Sequence, residues 1–71
     1  MPAWFENLPP ASLREQLGEL ERELKLRERV YPRWVREGRM TEEAGREQCR
    51  RLAGAIKTIS RLLEKSEPKL L

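Results

Sequence analysis

The side chains that most often carry catalysis are scarce in this sequence. It has no histidine and one cysteine, Cys49, so it lacks the Ser-His and Cys-His pairs of nucleophilic catalysis and the usual zinc ligand sets. Carboxylates are plentiful, but none forms a paired set in a predicted cleft, and a slender helical hairpin offers no cleft for a substrate. The sequence therefore predicts a protein that is not an enzyme, and it indicates neither a cofactor nor a metal site.

Arginine is the commonest basic side chain of the sequence and can bind an anionic partner. Six candidates flank the predicted turn: Arg29, Arg33, Arg36, Arg39, Arg46 and Arg50. A guanidinium group binds phosphate or carboxylate through paired hydrogen bonds, so nucleic acid and an acidic protein surface are both possible partners. Charges on the outside of a thin hairpin also serve solubility and i,i+4 pairing, and we favour that interpretation. A small basic nucleic-acid-binding protein is the alternative function.

Large apolar side chains make up a second set of candidates. Residues 1–11 hold three of the five prolines, which predicts a non-helical arm, or at most one short turn. Within it Trp4, Phe5 and Leu8 are spaced so that they can anchor in a groove of another protein. The alternative, slightly favoured, is that Trp4 and Phe5 fold over the open end of a helical bundle.

The remaining sequence predicts two helices. Ser12 and Glu15 fit a capping box, so the first helix is expected over about 12–37, with a kink at Pro32 and an end near Gly38. Thr41 is a second helix start, so the second helix is expected over about 41–66. Each helix carries one apolar stripe of helical spacing, listed for the first as Leu13, Leu17, Leu20, Leu24, Tyr31 and Trp34, and for the second as Gly45, Cys49, Leu52, Ile56, Ile59 and Leu63.

The short turn between these helices makes them antiparallel, which predicts an all-α, two-helix hairpin over residues 12–66 and a frayed tail over 67–71. In this register Trp34 lies near Gly45, where the missing side chain leaves room for the indole, and Cys49 lies on the inner seam. We expect the Tyr31 hydroxyl and the Trp34 indole N–H at the rim of the packed seam.

A hairpin of this size is expected to associate with another copy. The chain has 71 residues, of which 38% are hydrophobic and 38% charged, so its core is small. Leu26 and Val30 lie beside the first stripe and are hard to bury within one hairpin, and a second hairpin would close a four-helix bundle. We therefore predict a homodimer or larger homo-oligomer in which Leu26 and Val30 also serve protein binding. The sequence shows no signal peptide and no transmembrane run, so we expect a cytoplasmic protein without membrane contact.

The segment from Glu21 to about Ile59 resembles small uncharacterised proteins of bacterial and phage or prophage genomes. The likeness rests on the basic first helix, on Tyr31-Pro32 and on the turn Gly38-Arg39-Met40-Thr41. It implies a small accessory protein of phage type that binds and modulates a host or phage protein, and it carries no site residues with it.

Overall fold

The chain forms two long helices, and we describe residues 1–66 from a computed structural model. Helix α1 spans Leu13–Arg36 and helix α2 spans Glu42–Ser66. They pack against each other as an all-α hairpin, which confirms the predicted fold. The tail expected over residues 67–71 lies outside the described residues.

Local hydrogen bonds at Ser12 explain where α1 begins. The Glu15 backbone N–H donates to Ser12 Oγ at 3.0 Å, and the Ser12 N–H donates to Glu15 Oε1 at 2.9 Å. This reciprocal pair is the predicted capping box, and it satisfies two of the free amides at the helix start. Hydrogen bonds from the Ser12 backbone and side chain lower the pKa of the Glu15 carboxyl, because they favour its charged form.

Helix α1 runs unbroken through Pro32 and ends at a glycine turn. Gly38 adopts a φ of +74°, which glycine reaches without steric cost. The Arg39 N–H donates back to the Trp34 carbonyl at 2.8 Å, closing the end of the helix. Thr41 Oγ1 then accepts from the Ala44 N–H at 3.1 Å, which is the helix cap predicted for the start of α2.

The hairpin is a single layer with very little core. Its thinnest dimension is 15 Å, close to the diameter of one helix with its side chains. Leu52, 8% exposed, is the one buried hydrophobic side chain of residues 1–66, and Gly45, about two turns earlier in α2, is also buried. The leucines of both stripes are mostly half-buried. Two helices alone therefore leave much of their apolar surface in contact with water.

The arm is short and stands apart from the two helices. Ala3–Asn7 form a short 3-10 helix, so the arm is not wholly non-helical, although it stays within the one short turn allowed for. Within the single hairpin, Trp4 and Phe5 do not cover the open end of the helices, because the 3-10 helix contacts neither α1 nor α2. Instead the two rings stack on each other, with centroids 4.2 Å apart, and both remain exposed.

Candidate functional site

Gln48 joins the two helices on one side of the hairpin. Its Oε1 accepts a hydrogen bond from the Tyr31 hydroxyl at 2.9 Å, and its backbone carbonyl accepts one from Arg27 Nη1 at 3.0 Å. Arg27 also donates from Nε to Glu23 at 3.1 Å and lies 5.8 Å from the centre of the Tyr31 ring. The exposed Tyr31 hydroxyl agrees with the expected rim position. The role of Gln48 was missed, since nothing in the helical period distinguishes it from the other polar residues of α2.

Trp34 lies next to this cluster but not in the predicted arrangement. The Tyr31 ring is tilted against the indole with centroids 5.6 Å apart, and the Arg39 guanidinium lies 4.9 Å from the indole centre, within cation–π range. The indole Nε1 is buried and has no hydrogen-bond partner within residues 1–66. The prediction that this N–H would reach the rim is therefore wrong, because the ring is covered.

Gly45 makes room for a different side chain from the one expected. A Cβ placed at Gly45 would lie 3.5 Å from Tyr31 Cδ2 and 3.7 Å from Met40 Sδ. The pairing of Gly45 with Trp34 is therefore wrong, and the tyrosine ring is the neighbour that packs on this glycine. The rotation of α1 about its own axis decides which of the two aromatic residues faces α2, and periodicity leaves that rotation uncertain by tens of degrees.

The opposite side of Tyr31 borders a groove of about 480 Å³ between the helices, which we call the front groove. Its apolar lining comes from Tyr31, Pro32, Val35, Gly45 and Cys49. Cys49 is half-buried and borders this groove, so it is less enclosed than a residue of the inner seam.

Five charged side chains also line the front groove, three on α1 and two on α2: Arg27, Glu28, Arg36, Glu42 and Arg46. Arg46 donates to Glu42 at 2.9 Å. Pro32, between Glu28 and Arg36, is exposed although it stands inside a helix. A proline there costs about 3 kcal/mol relative to alanine, because it has no N–H to donate to the carbonyl four residues earlier. Because Pro32 is exposed, burial of its ring within the hairpin does not offset that loss of stability.

The residues predicted to bind protein fall into two separate groups. Trp4, Phe5 and Leu8 stand on the arm, away from both helices, and Trp4 is 61% exposed. Leu26 is 41% exposed on the outer side of α1, beside Lys25 and Arg29, while Val30 is half-buried. The fold therefore does not bring these five residues together into one surface.

The six candidate arginines are also divided. Arg39 and Arg46 pair with Glu37 and Glu42, and Arg50 pairs with Glu47. Arg36 and Arg46 line the front groove, whereas Arg29 borders a second depression together with Lys25 and Leu26. Within residues 1–66, Arg29, Arg33 and Arg36 are the members of the set without an ion pair. The six therefore divide into three arginines paired with glutamates and three without an ion pair, and the latter are spaced four and three residues apart on α1.

The strongest electrostatic effect in the hairpin lies outside these candidates. Hydrogen bonds and charge attraction from Arg50, with a smaller contribution from Arg51, lower the pKa of Glu47 to about 2. The same contact raises the pKa of Arg50. All three groups belong to α2, so this cluster stabilises one helix and does not form a site between the two.

The part of the chain that the structure describes contains neither a metal-binding cluster nor a membrane-spanning helix. No group of three or more Cys, Asp or Glu side chains is placed there to hold a metal ion. Neither α1 nor α2 combines the length and apolarity needed to cross a membrane. Compared with protein-family models, curated proteins and solved structures, the chain matches none. The likeness to phage-type accessory proteins therefore stays a prediction.

Proposed function

We propose that this chain is a non-enzymatic helical module that self-associates through the hairpin and binds another protein through its arm. The observation that carries the proposal is the amount of surface left uncovered. The chain exposes 6400 Å², whereas a compact monomer of 8.4 kDa exposes roughly 4,600 Å². The surplus of about 1,800 Å² exceeds the ~800 Å² that one partner buries in an interface of standard size.

The arm supplies the second half of the proposal. Two stacked aromatic rings and Leu8 stand clear of the helices, in contact with water. Large aromatic side chains that are already ordered bind at low entropic cost, and they dominate the binding energy of many protein interfaces. An arm that remains free when the hairpin dimerises can engage a second protein.

Self-association is tested by melting the full chain at several protein concentrations. A dimer that is more stable than its monomer gives a Tm that rises with concentration. Sedimentation equilibrium at micromolar concentration should give a mass of two chains. A single 8.4 kDa species with a Tm independent of concentration would contradict this half of the proposal.

Binding through the arm is tested by affinity capture from the source cells, with the full chain compared against a Trp4→Ala, Phe5→Ala variant. We expect specific proteins to be captured by the wild type and lost with the variant, while both chains dimerise equally. Nuclease treatment separates the nucleic-acid alternative, since bridging by nucleic acid would disappear with it. Capture of the same proteins by both chains, or capture that depends on nucleic acid, would overturn the role of the arm.

A further inference from the structure

The α1 side of the front groove carries a charge pattern that is complementary to itself. Glu28, Pro32 and Arg36 follow one another at intervals of one helical turn, are exposed and line the groove. Within residues 1–66 neither Glu28 nor Arg36 makes an ion pair or a side-chain hydrogen bond. An acid and a base therefore stand at equal distances on either side of an apolar residue, about 12 Å apart along the helix.

We propose that a second copy of this chain docks on the front groove, with its α1 antiparallel to α1 of the first copy and a two-fold axis passing near Pro32. This inference rests on the self-association proposed above and names its surface. A two-fold axis at position 32 brings residue 28 of each chain opposite residue 36 of the other. Glu28 then faces the partner's Arg36 twice in every dimer, and the two Pro32 rings and the groove's apolar lining are covered together.

The proline adds a reason for the partner's arginine to bind at this point. Because Pro32 has no N–H, the Glu28 carbonyl receives no helical hydrogen bond. The carboxylate of Glu28 is the other acceptor at the same residue. An arginine has five N–H donors in a rigid fork and can satisfy both acceptors. One arginine of the partner can thus donate hydrogen bonds to both the carbonyl and the carboxylate of Glu28.

The groove-lining charges Glu28 and Arg36 also favour this arrangement over other pairings of the same face. Parallel α1 helices would bring Glu28 against Glu28 and Arg36 against Arg36, which repels. Pairing α1 with the partner's α2 would use Glu42 and Arg46, which already bind each other at 2.9 Å. Of the charged side chains that line the front groove, Glu28 and Arg36 are the two without an ion pair in the described residues, and the antiparallel α1 pair is the arrangement that matches them.

The test is a charge swap within one chain, read as the dimer dissociation constant by sedimentation equilibrium. Glu28→Arg and Arg36→Glu each create two like-charge contacts per dimer, so each should weaken dimerisation about tenfold or more at low salt. The double variant restores both contacts with opposite sign and keeps the net charge of +3. It should return to within about threefold of the wild type.

Arg33→Glu is the matched control. It makes the same change of charge as Arg36→Glu, on the same helix, at an exposed residue that does not line the groove. It should change the dissociation constant by less than about threefold. Circular dichroism should show equal helix content in all four variants, because each substitution is on the surface of a helix.

Cys49 provides a second readout without any substitution. It is the sole cysteine of the sequence and lines the front groove, so docking should slow its reaction with a thiol reagent as protein concentration rises. Arg36→Glu should remove that protection at concentrations where the wild type shows it. Labelling that is independent of concentration in a dimeric wild type would overturn the proposed surface.

The outcomes separate this inference from the proposed function. A wild type that stays monomeric overturns both. A dimer that responds equally to Arg36→Glu and Arg33→Glu, or that the double swap fails to restore, overturns the groove as its surface while leaving self-association intact. If adding Arg46→Glu to Glu28→Arg restored dimerisation, the contact would belong to α2 of the partner. That result would overturn the antiparallel α1 pair.

Discussion

The two halves of the hairpin share one apolar periodicity but differ in packing. One half lies next to the turn and the other lies at the open end. In the turn half, residues 24–52, Gly45 and Leu52 are buried and Gln48 accepts hydrogen bonds from Arg27 and Tyr31. In the open half, residues 13–23 and 53–66, the stripe leucines are half-buried and Leu62 is exposed. An apolar stripe of constant period therefore does not imply constant burial along a helix pair.

The difference follows from what stands opposite each stripe. Near the turn, a tyrosine ring packs on a glycine, so a large side chain fills the space that a small one leaves. In the open half, leucine and isoleucine line both helices, and a single layer has nothing above or below to cover their flanks. Two helices cover one strip of each other, and wider apolar faces need a third or fourth helix.

The largest expected effect compares one leucine from each half. Leu52→Ala removes the buried side chain of the turn half and should lower the free energy of unfolding by about 2–3 kcal/mol. Leu63→Ala removes a half-buried side chain of the open half and should cost about 1 kcal/mol. Urea denaturation at one protein concentration measures both. Equal losses would mean that the two halves are buried to the same degree. That result is expected if another copy covers the hairpin along its whole length.

A glycine from each half gives the next comparison. A Cβ at Gly45 would meet Tyr31 at an ordinary contact distance of 3.5 Å, whereas a Cβ at Gly54 would meet nothing within 4 Å. Gly45→Ala and Gly54→Ala should both be tolerated, and Gly54→Ala should stabilise by up to about 1 kcal/mol through helix propensity. Gly45→Trp should destabilise by about 1–3 kcal/mol through overpacking, far more than Gly45→Ala. Thermal melts of the three variants check this, and similar Tm values for both Gly45 variants would contradict the close packing on Tyr31.

The smallest expected effect concerns pH and the ion cluster of the turn half. Arg50 lowers the pKa of Glu47 from 4.5 to about 2 in the folded chain. A depressed carboxyl pKa stabilises the fold above pH 4.5, and this contribution is lost as pH falls toward 2. The Tm should therefore drop over that range, and Glu47→Gln should make the drop smaller while lowering the Tm at pH 7. A pH dependence that Glu47→Gln leaves unchanged would assign the effect to other carboxyls, such as Glu15.

Local sequence signals were sufficient for the helices and the turn. The capping box at Ser12, the threonine cap at Thr41 and the left-handed Gly38 each act through hydrogen bonds or backbone geometry within a few residues. These features depend on neighbours in the chain, so the hairpin and its approximate boundaries follow from the sequence alone.

The site depended on the packing of the two helices. The tertiary structure alone shows that Tyr31 packs on Gly45 and that the Trp34 indole N–H is covered. It also shows that Gln48 joins the helices and that Glu28 and Arg36 border one groove. The physical reason is that periodicity gives the buried side of each helix, while its rotation and depth against the other helix result from the shapes of all the side chains between them.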